Sequence, residues 1–173
     1  NNDLKYPDDN CPNGKLTGNN TPWRGQKGSL YEGGTRVPAV VSWPGRIRPG
    51  KVDTPVQITD WMPTLCSLAG YRPAHDLKWD GTNIATLLIE RTELPQRPLY
   101  AVAPGWRSRS LRLGKWKLIV HGEGEARKVE LFDLTQDPCE TTDQAAQQAE
   151  PVKQLLRILD EFAAGDRDAV AKP

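Results

Sequence analysis

Thr21-Pro22-Trp23-Arg24-Gly25-Gln26-Lys27-Gly28-Ser29-Leu30-Tyr31-Glu32-Gly33-Gly34-Thr35-Arg36-Val37-Pro38 sets one lysine among closely spaced glycines, between two arginines. Gly25, Gly28, Gly33 and Gly34 admit backbone conformations closed to other residues and let the main chain come close to a ligand. Lys27 then stands as a compact cation with three donors, so the loop has the make-up of an anion site. The stretch runs on into Ala39-Val40-Val41-Ser42-Trp43-Pro44-Gly45. The apolar run from Arg36 to Ser42 is too short for a helix and rich in β-branched residues, which predicts a buried strand ended by Pro44-Gly45. Asp60 can next cap a helix whose first turn tolerates Pro63, whose body runs from Thr64 to Ala69 and which stops at Gly70. Strand, connection and capped helix predict α/β architecture.

Tyr71 to Gly81 reads as a connection, followed by a short helix with Ile84, Leu87 and Leu88 on one face. After Pro95 the pattern changes. Leu99 to Ala103, Ser108 to Leu113, Lys115 to His121 and Lys128 to Leu134 are short, partly alternating segments separated by glycine-containing turns, the mark of an antiparallel meander. In the third segment Trp116, Leu118 and Val120 share one face, and Lys117, Ile119 and His121 share the other. From Pro151 onward Val152, Leu155, Leu156, Leu159 and Phe162 recur at helical spacing and stop before Gly165, which predicts an amphipathic helix covering one face of the sheet. The change of period sets a domain boundary near Leu94 to Pro98: 1–94 in an α/β domain, 95–173 in a small sheet-plus-helix module.

The chain has 173 residues, begins with Asn1 rather than Met, and opens on a polar, Asn-rich stretch, so it reads as part of a larger protein. With 23 basic and 22 acidic side chains the formal charge is +1, which argues against nucleic acid or an anionic membrane as partner. No segment has the length of a membrane span or the apolar run of a signal peptide. Cys11, Cys66 and Cys139 form no Cys-x-x-Cys pair; one disulfide with one free thiol, or three unpaired thiols with Cys66 buried on a helix, both fit.

The ordered words of the lysine loop resemble the loop that carries the active-site lysine of the sulfatase family, the arylsulfatase-like branch of the alkaline-phosphatase-related superfamily. Val37 to Gly45 resembles that family's next strand and turn. Arg112-Leu113-Gly114-Lys115-Trp116-Lys117-Leu118 and Glu130-Leu131-Phe132-Asp133-Leu134-Thr135-Gln136-Asp137-Pro138-Cys139-Glu140 resemble two further phrases near the family's C-terminus. The resemblance extends from about Gly18 to about Phe162. It implies the tail of a large sulfatase-type α/β domain followed by a small antiparallel sheet with a C-terminal helix. It also implies a sulfuric ester hydrolase, with Lys27 as the catalytic and substrate-binding lysine and Arg24 as a second substrate-binding candidate. A fixed ammonium there meets the charge of the sulfuryl oxygens and the charge that develops on the bridging oxygen as the S–O bond breaks. Arg24, Arg36, Glu32 and the glycines read chiefly as the parts that hold Lys27 still.

The family's nucleophile is a formylglycine made from a Cys-x-[Pro/Ser]-x-Arg motif, and none of the three cysteines begins one. The nucleophile and the calcium ligands are therefore expected in a missing N-terminal half, without which this part is expected to be inactive. Asp9-Asn10 stands 18 and 17 residues before Lys27, where the family's last two metal ligands would lie. The family pair ends a buried apolar strand, which Asn1 to Asp8 is not, so a surface turn is the favoured reading and no metal ligand is assigned. The resemblance implies a sulfated carbohydrate or aryl sulfate as substrate and a periplasmic or extracellular location. Tyr71 to Asp80, with Trp79, and the Trp106 turn are candidates for recognising the rest of the substrate. His75 is a weak candidate and His121 reads as exposed without partners. Asp133, Asp137 and Glu140 read as structural. Two alternatives stand beside the sulfatase: a phosphodiesterase or phosphonate hydrolase of the same superfamily, and a non-catalytic module binding sulfated glycans through Arg107 to Lys117.

Overall fold

A computed structural model describes residues 19–106, 108–122, 124 and 127–166. Asp9, Asn10, Cys11 and Arg107 lie outside the described residues, as does the side chain of Trp106. Residues up to Val37 and from Tyr100 onward form one compact unit, and Pro38–Leu99 forms another.

The first unit is built on the meander. β1 (Leu99–Val102), β2 (Ser108–Leu113), β3 (Trp116–His121) and β4 (Lys128–Asp133) lie side by side in chain order. β3 pairs antiparallel with both neighbours, and the register sets Leu118 opposite Leu111 and Leu131. Because side chains alternate across a strand, that register collects the apolar residues into a layer on one face. Leu111, Leu118, Val120 and Leu131 there meet Leu155 and Leu159 of helix α4 (Ala149–Ala163), with Trp116, Val152 and Leu156 at the margin. Burying Leu155 and Leu159, both at 2% exposure or less, stabilises the unit by roughly 1.5–3 kcal/mol each. Beyond α4, Tyr100 Oη donates to Asp166 Oδ2 at 2.7 Å and Arg109 Nε donates to the same oxygen at 3.0 Å. Both sheet and helix are where the sequence puts them.

The opposite face of the sheet is also covered. Leu30 packs with Ala103, Ile119, Phe132 and Leu134, flanked by Tyr31 and Ala101. The glycine-bordered segment and its one-turn helix α1 (Glu32–Thr35) thus close the face that carries Lys117 and His121.

In the second unit, a 3-10 turn at Ile58–Asp60 leads into helix α2 (Trp61–Leu68). The helix ends as the sequence predicts: Gly70 takes φ 74°, its N–H bonds Ser67 O, and Tyr71 N–H bonds Cys66 O, the paired bonds of a glycine-stopped helix. Asp60 differs from the expectation. Its carboxylate does not cap α2 but accepts from Gln57 N–H at 2.7 Å and Thr82 N–H at 2.8 Å and pairs with Arg97. The short helix is α3 (Ala85–Glu90), anchored by buried Ile84 and Leu87. The buried strand expected over 36–42 is not formed. Residues 36–43 take no strand pairing, and Val37 and Val40 are 76% and 92% exposed. A strand needs a neighbour to satisfy its backbone, and none of the described residues supplies one. Cys66 and Cys139 are free and half-buried. No helix among the described residues is long and apolar enough to cross a membrane.

Candidate functional site

Lys27 occupies the tip of a loop that is closed at its base by main-chain bonds. Gly33 N–H donates to Arg24 O at 2.7 Å, and Asn20 Nδ2 donates to Gly33 O at 2.9 Å. At the tip, Ser29 N–H donates to Gln26 O at 2.9 Å, and Gly28 takes φ 89°. A four-residue turn with positive φ at its third position requires glycine there, and this one presents Lys27 at the second. Gly33 and Gly34 have another reason to lack a side chain: a Cβ on Gly33 would run into the carbonyl oxygens of Gly25 and Arg24, and one on Gly34 into those of Ser29 and Gln26. Lys27 is exposed and makes no hydrogen bond or ion pair with the described residues.

Both shoulders of the loop are tied to the sheet. On one side, Arg24 Nη1 donates to Glu140 O at 2.9 Å, and its guanidinium lies 4.0 Å above the Tyr31 ring. On the other, Glu32 N–H donates to Glu140 Oε2 at 2.5 Å. Lys117, from the start of β3, reaches between the two glutamates, with Nζ 2.8 Å from Glu32 Oε1 and 2.9 Å from Glu140 Oε1. All three side chains are at least 93% buried. Arg36 stands 3.7 Å from Glu32 Oε2 and covers the Trp23 ring at 4.1 Å. Burial raises the Glu140 carboxyl above its ordinary value, against the pull of Lys117 and the Glu32 N–H. Arg112, cross-strand neighbour of Lys117, is desolvated and its guanidinium is shifted down.

A second polar group supports Tyr31. Its hydroxyl donates to Glu130 Oε2 at 2.6 Å, the oxygen that also contacts His121 Nε2 at 2.9 Å. His121 Nδ1 lies 3.0 Å from Ser108 Oγ. Burial alone would raise the Glu130 carboxyl, but the bonds from Tyr31, His121 and Lys128 outweigh it and hold the group below the usual range. Burial and the same carboxylate push the Tyr31 phenol up to about 12, so it stays a donor.

The structure therefore brings Lys27, Arg24, Glu32 and Arg36 together as the sequence reading has them, with Lys27 free and the other three committed to holding the loop. It adds three residues whose partners the sequence reading did not supply. Lys117 is not open to a sulfated glycan but sealed under the loop, and Arg109 is taken up by Asp166, so the surface required for a sulfated-glycan-binding module is not present at those positions. His121 is not without partners. Glu140, read as structural, is fully buried beneath the loop. The signal for Lys117 was in the strand itself: Ile119 shares its face, and an apolar neighbour two residues on marks a covered face. Asp133 and Asp137 keep the structural role read for them. Asp133 accepts from Lys115 and Thr135, and Asp137 from Thr141 and the Thr142 N–H. His75 is exposed in the second unit. Among the described residues no group of three or more His, Cys, Asp or Glu side chains is placed to hold a metal ion, and their buried carboxylates are already occupied by Lys and Arg.

The family profile described as N-sulphoglucosamine sulphohydrolase, C-terminal, matches residues 25–164. The chain is 32% identical over 145 residues to arylsulfatase K of Gallus gallus, covering 77% of this chain and 26% of that protein. It is 34% identical over 117 residues to human arylsulfatase A, covering 65% and 22%. The crystal structure of Ps i-CgsB in complex with k-i-k-neocarrahexaose superposes with a TM-score of 0.73 at 28% identity, covering 83% of this chain and 32% of that one. The chain thus spans about a quarter of the length of the two curated relatives.

Proposed function

The chain belongs to the sulfatase family, and from that premise we propose that it is the C-terminal part of a sulfuric ester hydrolase in which Lys27 binds the sulfate and stabilises the charge of the transition state. The observation that carries this reading is the exposed, uncommitted ammonium at the tip of a loop whose base is clamped on both sides. A lysine on a mobile loop would have to be ordered, backbone and all, at the moment of reaction, whereas a clamped loop already holds its backbone in place for the charge that develops on the bridging oxygen. Lys27 acts by donating N–H bonds to sulfuryl oxygen. Arg24 serves first to hold the loop, and the exposed part of its guanidinium is the second donor to sulfate.

In this proposal residues 1–94 are the end of the catalytic α/β domain and 95–173 the small C-terminal module. The exposed run Val37, Val40, Val41 and Trp43 is then covered by polypeptide outside this chain, which would also supply the strand partners that 36–42 lacks. The formylglycine nucleophile and the ligands of calcium belong to that polypeptide as well. Calcium would polarise the sulfate oxygens, and no step assigned to this chain passes through it. A sulfated carbohydrate is the favoured substrate class, in keeping with the oligosaccharide held by a related structure.

The test is substrate choice by the full-length enzyme. An aryl sulfate should be hydrolysed in preference to the corresponding aryl phosphodiester or phosphonate; preference for the phosphorus ester would transfer the chain to the rival class within the same superfamily.

A further inference from the structure

We propose that Glu140, 113 positions from Lys27 in the sequence, is the positioning residue that sets the catalytic lysine, acting through both shoulders of its loop; the proposal rests on the reading of Lys27 given above. Two hydrogen bonds and an ion pair carry it. The Glu140 carbonyl takes Arg24 Nη1, three residues before Lys27, and its Oε2 takes the backbone N–H of Glu32, five residues after. Its Oε1 contacts Lys117, which in turn holds the Glu32 carboxylate. One residue thereby fixes the entry and exit of the loop relative to each other and to strand β3.

What Glu140 endures to do this is not explained by stability. It is fully buried as a carboxylate and takes φ 56°, a left-handed conformation uncommon for residues other than glycine, asparagine and aspartate. A buried ion pair is often no more stabilising than apolar residues of the same volume, but it does specify geometry. Strain of this kind persists where the surroundings over-determine it, commonly near functional sites. The backbone twist aims the carbonyl at Arg24 while the side chain turns under Glu32. Both directions are needed for the clamp, and neither is needed to end β4, whose turn is already bonded through Asp133 and Asp137.

The experiment is a double-mutant cycle in the full-length enzyme, with 4-nitrophenyl sulfate as the probe and kcat normalised to the folded fraction. Glu140→Gln keeps the shape and an acceptor for the Glu32 N–H but removes the charge that holds Lys117. It should lower kcat by roughly 10- to 100-fold with KM little changed, the loss expected when a catalytic group is displaced by an ångström. In a Lys27→Ala background the same substitution should cost less than about 2-fold, because the residue through which it acts is gone. Equal losses in both backgrounds, or wild-type kcat in Glu140→Gln, overturn the positioning role while leaving Lys27 intact. Full activity in Lys27→Ala alone overturns instead the reading of Lys27. Should Glu140→Gln fail to fold, Glu140→Asp, which keeps the charge and shortens the reach, gives the same cycle with the same outcomes.

Discussion

Replacing Lys117 by methionine removes the cation from beneath the lysine loop while leaving most of the volume of its stem. Lys117 is 4% exposed and its partners Glu32 and Glu140 are 7% and 0% exposed, so the substitution strands two carboxylates in a place water does not reach. Breaking a buried pair in this way costs about 3–5 kcal/mol. Glu32 retains Arg36 at 3.7 Å, but Glu140 has no other ionic partner among the described residues, and burial, which already raises its carboxyl, is then unopposed by Lys117. The sign follows from the same reasoning: a carboxyl whose folded pKa is raised destabilises the fold increasingly as pH climbs above its unfolded value. The penalty should therefore be smaller at pH 5 than at pH 7. Urea unfolding followed by circular dichroism, with wild type and Lys117→Met compared at both pH values, measures it. With a slope of about 1–3 kcal/mol/M, the midpoint at pH 7 should fall by roughly 1–5 M. A loss below 1 kcal/mol at pH 7, or a loss that does not change between pH 7 and pH 5, would refute the ionic clamp.

Three further outcomes follow from particular contacts. Gly34→Ala pushes a methyl group against the carbonyl oxygens of Ser29 and Gln26 and should lower both stability, by about 1–3 kcal/mol, and aryl-sulfate turnover, whereas Gly28→Ala meets no atom and should cost only about 1–2 kcal/mol of backbone strain. Leu159→Ala opens a cavity between α4 and the sheet and should cost about 2–5 kcal/mol in thermal or urea unfolding. The bonds from Lys115 and Thr135 hold the Asp133 carboxyl down to about 2 from an ordinary 3.8. Its contribution is therefore present above about pH 3.8 and lost as pH falls through about 2. Asp133→Asn should flatten that part of the acid unfolding curve.

Local pattern carried the meander and its helix because each strand has its own turn signal and α4 has its own stripe. The register that joins Leu111, Leu118 and Leu131 follows from alternation once the strands are placed. Residues 36–42 show where local pattern stops: the run is apolar enough to be a buried strand, but burial depends on neighbours that the described residues do not contain. The site divides in the same way. Lys27 and its glycines were legible because turn chemistry is written in adjacent residues. Glu140 and Lys117 were not, since the loop meets them across 108 and 85 positions of sequence: Ile119 marks the Lys117 face of β3 as covered, but nothing local says what covers it. His121 was missed for a related reason: its partners Ser108 and Glu130 lie on the two flanking strands.

The most direct test of the account is the turnover of an aryl sulfate by the full-length enzyme carrying Lys27→Ala. If the ammonium meets the charge of the reacting sulfate, kcat should drop by about 100- to 1,000-fold, as for one lost oxyanion donor, with the thermal midpoint unchanged because Lys27 touches none of the described residues. Hydrolysis at the wild-type rate by a stably folded Lys27→Ala enzyme would contradict it.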